Sequence, residues 1–415
     1  MHHFIFPTQD TWISSGSSKT TGISLLDKNF GQDEILELKK EFTKNIFEYQ
    51  TRVLINFAGT DFNNLKSQVE DETIPSTAKY YLKLYEAEGN KELSTDYDLV
   101  AFPLHQAWQE GSGKFKDNPK SEIGTSWENR LSETGITSLS WSLKDAAIEA
   151  QIPGDEDVNG IEFSEYHVLF SNAEQIFSNV TGSYLAGQEG GGVWVQRRGF
   201  ASSQSFSSES PDIDMDVTNM VNKWIDEEIT NYGILLKFSG SQETDSETFG
   251  HLKFFSRQSP TIYSPRLEVR WDDSLESTGS TKFSNLDITG LSDNYLEMKN
   301  LKKSYKKTDK VKFRINARKR YINKSVSSTT TDVLDFYIPE GKSSYAIKDI
   351  ATDEFIVPFS TYTSMSCDTV GPYFIQWLDG FHEDRSYKIL LKLKYTDGQE
   401  QVFDDDFEFV IRGGV

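Results

Sequence analysis

Apolar and polar residues alternate along several stretches of the chain, so that every second side chain is apolar. In one stretch, Val53, Ile55 and Phe57 would share one face of an extended segment. The other rows of this kind are Ala78, Tyr80, Leu82 and Leu84; Ile234, Leu236 and Phe238; Leu252 and Phe254; Leu267, Val269 and Trp271; Val311, Phe313, Ile315 and Ala317; and Tyr387, Ile389, Leu391, Leu393 and Tyr395. This period of two is typical of β-strands with one buried face, and turn-forming residues between the rows favour an antiparallel β-sandwich.

One segment has the spacing of a helix instead. Val217, Met220, Val221 and Trp224 recur at positions i, i+3, i+4 and i+7, which places them on one helix face. Asp216 stands immediately before them, and its carboxylate can accept the free N–H groups of a first turn. The sequence therefore predicts a short helix that is capped by Asp216 and packs its apolar face on the sandwich.

Polar sequence rich in Ser, Thr and Gly at 275–284 predicts a linker between two domains. We expect a first β-sandwich domain at 1–274, with an insertion at about 142–200 where no clear periodicity occurs. We expect a second all-β domain, immunoglobulin-like in size, at 285–415. Within it, Asp397-Gly398 predicts a hairpin turn, and Phe407, Phe409 and Ile411 mark the returning strand.

The composition excludes several classes of protein. The chain has 64 acidic and 43 basic residues, a formal net charge of -21, whereas a general nucleic-acid binder needs an excess of cations. Its one cysteine, Cys367, rules out an internal disulfide framework and is interpreted as a buried structural residue. No apolar run approaches the roughly 18 residues of a membrane helix, and the first residues lack the basic start of a signal peptide. We therefore expect a soluble protein that folds in the cytoplasm, without a membrane or nucleic-acid partner.

Three acidic residues form a candidate metal site. Asp212, Asp214 and Asp216 alternate with apolar residues, so a strand would hold their carboxylates on one face. Several oxygen ligands in one place suit Ca²⁺, which makes calcium the one candidate cofactor. The alternative is a solvated strand face in which Asp216 serves only as the helix cap.

The strongest charge feature lies at 299–324, which contains twelve Lys and Arg residues and one acid. Because the rest of the chain is strongly acidic, the basic stretch of one copy could meet an acidic surface of the next. We therefore predict that Lys310, Lys312, Arg314 and Arg318 make subunit contacts. Two alternatives stay open, a solvated strand pair with basic outward positions and a nucleic-acid patch.

Four tryptophans are candidate platforms for sugar binding, because an indole face can stack on the C–H groups of a pyranose. They are Trp108, Trp127, Trp141 and Trp194. The alternative is that all four pack in the core. No residue is nominated as catalytic, because the sequence singles out neither a nucleophile motif nor a facing pair of carboxylates.

Several short motifs follow one another between about residues 8 and 273. They are Asp10-Thr11-Trp12-Ile13; Arg52-Val53-Leu54-Ile55-Asn56-Phe57; Trp108-Gln109-Glu110-Gly111; Ser126-Trp127; Asp216-Val217-Thr218 with Val221 and Trp224; Tyr232-Gly233-Ile234-Leu235-Leu236; and Pro265-Arg266-Leu267-Glu268-Val269. In series they resemble the DNRLRE-type β-sandwich, a module related to carbohydrate-binding modules. The resemblance implies a carbohydrate-binding-module-like fold for the first domain, from which the 142–200 insertion departs.

The second domain carries further motifs, among them Ser343-Ser344-Tyr345-Ala346-Ile347, Val357-Pro358-Phe359 and Ser366-Cys367-Asp368. With these, the whole chain resembles the virion structural proteins of contractile-tailed marine phages, particularly those of cyanobacteria. The resemblance implies a non-enzymatic component of the tail, neck or baseplate, folded in the host cytoplasm and present in the virion in multiple copies or as a homo-oligomer. It would act by docking on other virion proteins. Two other functions stay open, a glycan-binding module for adsorption to the host and a polysaccharide-active enzyme.

Overall fold

The described part of the chain in the computed structural model comprises residues 1–17, 22–43, 46–88, 96–134, 138–141, 190–195, 200–207, 212–243, 245, 247–275, 278–290, 292–321 and 335–413. Most of the predicted insertion at about 142–200 lies outside these residues. The described residues form a mainly β protein of sandwich-like architecture, which confirms the predicted fold class.

Among the described residues, thirteen strands occur before residue 271: β1 (His2–Ile5), β2 (Gln9–Ser14), β3 (Ile35–Thr43), β4 (Ile46–Asn56), β5 (Lys79–Leu84), β6 (Asp96–Pro103), β7 (Asn129–Leu131), β8 (Leu139–Ser140), β9 (Ser202–Ser207), β10 (Ile213–Asp216), β11 (Ile234–Phe238), β12 (Gly250–Phe255) and β13 (Arg266–Arg270). Nine described strands follow: β14 (Asn294–Lys299), β15 (Ser304–Lys306), β16 (Lys310–Lys319), β17 (Ser343–Asp349), β18 (Phe355–Val357), β19 (Ser366–Asp368), β20 (Gly371–Trp377), β21 (Ser386–Lys394) and β22 (Glu400–Arg412). The predicted rows of alternating residues lie on these strands, except for four members that lie one residue beyond a strand end: Phe57, Ala78, Trp271 and Tyr395.

Two short α-helices occur among the described residues, α1 (Thr60–Glu70) and α2 (Thr218–Ile225). The predicted apolar face of α2 is confirmed, since Met220, Val221 and Trp224 are buried. The helix begins at Thr218, with Val217 at the N-cap position, and the Asp216 carboxylate accepts the Thr218 N–H at 2.9 Å. Helix α1 was not predicted, because it is polar and buries few of its side chains.

The chain divides into two compact units. The N-terminal unit comprises Ile5–Ile74 and Lys79–Glu268, and the C-terminal unit comprises Met1–Phe4, Pro75–Ala78 and Val269–Val415. The segment predicted as a linker, 275–284, belongs to the C-terminal unit and includes a 3₁₀-helix at Thr278–Thr281.

The N-terminal unit contains a large sheet in the order β12-β3-β4-β11-β6-β9, to which β2 adds by pairing with β4. A second sheet contains β13, β5 and β10 in that order. On β5, Tyr80, Leu82 and Leu84 are buried while the residues between them are more exposed. On β11 both faces are buried, because this central strand is covered on two sides.

The C-terminal unit consists of the sheets β14-β16-β20-β19 and β15-β22-β21-β17-β18. Side chains from both sheets form one hydrophobic cluster, with Phe313 and Phe374 from the first sheet and Tyr387 and Phe409 from the second. Phe4 joins this cluster from the other end of the chain, and its ring centroid lies 6.2 Å from that of Phe381. The predicted hairpin at Asp397-Gly398 connects β21 to β22, as expected.

Candidate functional site

The predicted subunit-contact residues lie on β16, an inner strand of its four-stranded sheet. Lys310, Lys312, Arg314 and Arg318 occupy even-numbered positions, so their side chains leave the sheet on the face opposite the buried Phe313. The structure therefore places all four cations on one face.

Asp368, the last residue of β19, binds two of these cations. Its Oδ1 lies 2.6 Å from Arg314 Nη1, and its Oδ2 lies 2.9 Å from Lys312 Nζ. The backbone N–H of Val370 also donates to Oδ1, at 2.9 Å. The hydrogen bond from Arg314, followed by that from Lys312, holds the pKa of the Asp368 carboxyl well below its ordinary value. Asp368 is therefore an ionised partner at neutral pH.

Aromatic rings on β20 lie beneath two of the cations. Lys312 Nζ is 3.5 Å from the ring centroid of Tyr373, and Lys310 Nζ is 4.8 Å from that of Trp377. A cation held over a ring face in this way is attracted by the ring quadrupole. These contacts fix the direction in which the two lysines leave the sheet.

Arg318, near the other end of β16, has partners on β14. Its Cζ lies 4.6 Å from the ring centroid of Tyr295, and its Nη2 lies 3.6 Å from Glu297 Oε2. Each of the four predicted contact residues therefore has a charged or aromatic partner within its own chain. Two carboxylates, Asp368 and Glu297, are among these partners, so the four cations are only partly neutralised.

Two exposed apolar side chains flank the edge strand β19. Val370, two residues beyond its end, is 59% exposed, and Leu275 is 66% exposed. Leu275 is held beside the start of β19 by its backbone N–H, which donates to Ser366 Oγ at 3.1 Å. We refer to Lys312, Arg314, Asp368, Val370 and Leu275 together as the β19 face.

The three acidic residues lie as predicted along the exposed face of β10, while the residues between them are buried. Asp212 Oδ1 accepts the Glu86 N–H at 2.7 Å, and Asp216 accepts the Thr218 N–H. Two of the three carboxylates therefore bind backbone N–H groups. In the described part of the chain, no group of three or more His, Cys, Asp or Glu side chains is arranged to hold a metal ion.

The four tryptophans named as sugar platforms are all buried in the N-terminal unit, and Trp141 is 0% exposed. They belong to one hydrophobic cluster with Ile13, Leu54 and Leu235. Indole faces in this cluster pack against protein, so they are closed to a sugar ring. Cys367 is also buried and unoxidised.

A buried ionic cluster near these indoles was not predicted from the sequence. Arg52 Nε lies 2.7 Å from Glu243 Oε1, and Lys237 Nζ lies 2.6 Å from Glu243 Oε2. All three side chains are at most 1% exposed. The Arg52 guanidinium lies 4.7 Å from the Trp127 ring centroid and 5.1 Å from that of Trp194. Two cations and one carboxylate therefore share a buried, aromatic site.

Burial and charge have opposite effects on the two titratable members of this cluster. Burial lowers the pKa of Lys237 to about 8, although the Glu243 carboxylate partly opposes the shift. Burial by itself raises the pKa of Glu243, but the charges of Arg52 and Lys237 outweigh it and hold that pKa below its ordinary value. The arrangement links β4, β11 and the 3₁₀-helix Gly240–Glu243, so its role is to join these elements.

Two further carboxyl groups titrate near neutrality. Burial raises the pKa of Asp10 to about 7, and its Oδ2 accepts the Arg257 N–H at 2.6 Å. Burial raises the pKa of Asp33 to about 6, and its carboxylate accepts hydrogen bonds from Trp12 Nε1 and the Phe115 N–H. Because Asp10 is only 1% exposed, its titration is coupled to the stability of the fold.

Comparisons with protein-family models, with curated proteins and with solved structures find no match for this chain. Among the residues that the structure describes, no helix has the length and apolar character needed to cross a membrane. The fold and the contacts above are therefore the basis for an assignment of function.

Proposed function

We propose that this chain is a structural component of a bacteriophage virion, in the tail, neck or baseplate, which acts by docking on neighbouring protein subunits without catalysing a reaction. The observation that carries the proposal is the β19 face, where exposed Val370 and Leu275 lie beside cations whose directions are fixed by Asp368 and Tyr373. Protein interfaces commonly combine exposed apolar side chains with ordered polar and charged groups.

The distribution of charge supports a second copy of the chain as the neighbour. Residues 1–268 carry 22 Lys and Arg against 41 Asp and Glu, whereas residues 269–415 carry 21 against 23. The C-terminal part of one copy can therefore approach the acidic N-terminal part of another without strong repulsion. Such a head-to-tail contact generates a ring or a helical array, which is the geometry of tail and neck assemblies.

The four tryptophans that were candidate sugar platforms are buried, so they do not support the alternative function of glycan binding. The resemblance to virion proteins of contractile-tailed marine phages, stated above from the sequence motifs, adds to the docking proposal. It also suggests that the protein leaves the cell as part of a particle after folding in the host cytoplasm.

Mass spectrometry of purified particles, with sedimentation of the recombinant chain, tests the proposal. We expect the chain in particles at a fixed copy number and concentration-dependent self-association in solution. Absence from particles together with a monomer at every concentration would overturn it.

A double variant, Leu275→Ser with Val370→Ser, locates the contact. It removes exposed apolar area while leaving the ion pairs in place, so we expect loss of self-association with an unchanged melting temperature. Val402→Ser is the matched control, because Val402 is 49% exposed on the other sheet. Reversing the charges of Lys312 and Arg314 is a poorer test, since it would crowd carboxylates around Asp368 and unfold the face locally.

A further inference from the structure

A groove of about 400 Å³ opens in the C-terminal unit where the edge strand β18 ends. Strand β18 pairs only with the later part of β17, where Ile347 is opposite Val357. The first residues of β17, the last residues of β21 and the turn that follows β18 line the groove. Its volume lies within the range of small-ligand sites. We call it the β17–β21 groove.

The turn that forms one wall is held rigidly. It is the 3₁₀-helix Thr361–Thr363, in which Ser360 Oγ accepts the Tyr362 N–H at 3.2 Å and Thr363 Oγ1 accepts the Ser360 N–H at 2.9 Å. A reciprocal cap of this kind satisfies two backbone donors at once. The wall is therefore preformed, and a ligand would not have to order it.

Three lysines line the groove, Lys342, Lys392 and Lys394. Lys392 Nζ lies 3.1 Å from Glu400 Oε2 and is thus already paired. In the part of the chain that the structure describes, no carboxylate lies within ion-pair distance of the ammonium groups of Lys342 and Lys394. Two lysines of the same sheet outside the groove are paired with carboxylates.

Lys348 pairs with Asp353 at 2.6 Å, and Lys388 pairs with Asp404 at 2.7 Å. These two lysines lie on the same sheet outside the groove, where each has a carboxylate from its own chain. Lys342 and Lys394 therefore bring two ammonium groups without a carboxylate partner among the described residues to one groove, which suits an anionic ligand.

The remaining lining is suited to a hydroxylated ring. Among the described residues, no hydrogen bond engages the side-chain hydroxyls of Ser344 or Thr361, which line the groove. Phe359 is half-buried in the wall, with Lys392 Nζ 4.8 Å from its ring centroid. The carboxylate of Asp272 can accept hydrogen bonds from ligand hydroxyls, whereas that of Glu400 is paired with Lys392.

We propose that the β17–β21 groove binds an acidic sugar, a hexose ring that carries a carboxylate or a sulfate group. Lys342 and Lys394 bind the anionic group, while Ser344, Thr361 and the Asp272 carboxylate bind ring hydroxyls. The edge of Phe359 covers part of the ring's apolar face. The proposal does not depend on the docking function, because the groove lies on the sheet that does not contain β19.

Isothermal titration of the full chain with four probes tests the proposal: trigalacturonate, a sulfated trisaccharide, neutral maltotriose and inorganic sulfate. We expect saturable binding of at least one acidic trisaccharide that weakens as salt is added, and no binding of maltotriose. The stronger of the two acidic probes identifies the anionic group. Binding of neither, equal binding of maltotriose, or equally strong binding of sulfate alone would overturn the assignment.

Substitutions inside and outside the groove test whether the acidic sugar binds there. Lys342→Gln with Lys394→Gln should weaken it about tenfold or more, because two charge-assisted hydrogen bonds are lost. Lys388→Gln removes the same type of charge from β21 outside the groove and should change nothing. Glu400→Gln releases Lys392 and should strengthen binding, a gain that a folding defect cannot imitate. An equal loss in Lys388→Gln, or weaker binding in Glu400→Gln, would contradict the proposal.

Discussion

Replacement of Glu243 by Gln tests the buried ionic cluster most directly. The Glu243 carboxylate accepts one hydrogen bond from Arg52 Nε at 2.7 Å and another from Lys237 Nζ at 2.6 Å. The variant keeps the shape of the side chain but leaves two cations in a buried site without a counter-charge. Breaking a buried ion pair on one side lowers the free energy of unfolding by about 3–5 kcal/mol, and we expect this loss for Glu243→Gln.

The structure also indicates how the loss divides between the two cations. Burial already lowers the pKa of Lys237 to about 8, so release of its proton at neutral pH limits the lysine's share to about 1–2 kcal/mol. Arg52 cannot lose its proton and bears the rest. Adding Lys237→Met to Glu243→Gln removes one of the two cations, so the double variant should be about 1–2 kcal/mol more stable than Glu243→Gln alone.

Urea unfolding followed by tryptophan fluorescence measures both effects, since Trp127 and Trp194 flank the Arg52 guanidinium. Glu247→Gln is the control, because Glu247 is exposed in the same loop. A loss below about 1 kcal/mol for Glu243→Gln, or a double variant as unstable as the sum of its single changes, would refute the reasoning.

Three further results are expected. Burial raises the pKa of Asp10 to about 7, so the native state binds more protons than the unfolded state between about pH 4 and 7. The free energy of unfolding therefore falls by about 4 kcal/mol as pH rises through this window. Asp10→Asn should flatten that decline in urea titrations and be the more stable form above pH 7, and an unchanged slope would contradict this. Gly279→Ala would place a Cβ 2.3 Å from Cys367 Sγ, so it should lower stability by about 1–3 kcal/mol in thermal unfolding, with part of the loss restored by Cys367→Ala. Melting temperatures in calcium and in a chelator should coincide, because Asp212 and Asp216 already bind backbone N–H groups; a higher melting temperature in calcium alone would establish the sequence-predicted site.

The alternation of residues was sufficient to predict strands with one solvated face. On β16, Phe313, Ile315 and Ala317 are buried and Lys312 lies on the other face, as the period of two requires. Alternation fails where a strand is covered on both sides. Lys237 occupies an outward position in the row of β11, yet it is fully buried. Apolar Leu235, at the other outward position, is the local sign of the second cover, but it does not identify Lys237 as a buried charge.

The candidate sites were predictable only in part, because each combines residues that are far apart in the sequence. The four cations of β16 were found because they lie on one strand, where spacing determines the shared face. Their main partner, Asp368, comes from β19, and no pattern in the sequence connects the two strands. The β17–β21 groove likewise combines Lys342 with Lys394, which are neighbours only because β17 and β21 pair.

The position of Phe4 in the C-terminal cluster has a consequence for the order in which the chain becomes native. Residues Met1–Phe4 leave the ribosome before the rest of their unit, Val269–Val415, which follows on the order of a minute later at ~5–20 residues per second. During that interval the N-terminal unit can fold, while Phe4 remains without the core to which it belongs. Once Val269–Val415 has been made, the place beside Phe381 can accept Phe4 of a neighbouring chain through the same contacts. Crowded synthesis of many copies therefore favours exchange of this short segment between chains.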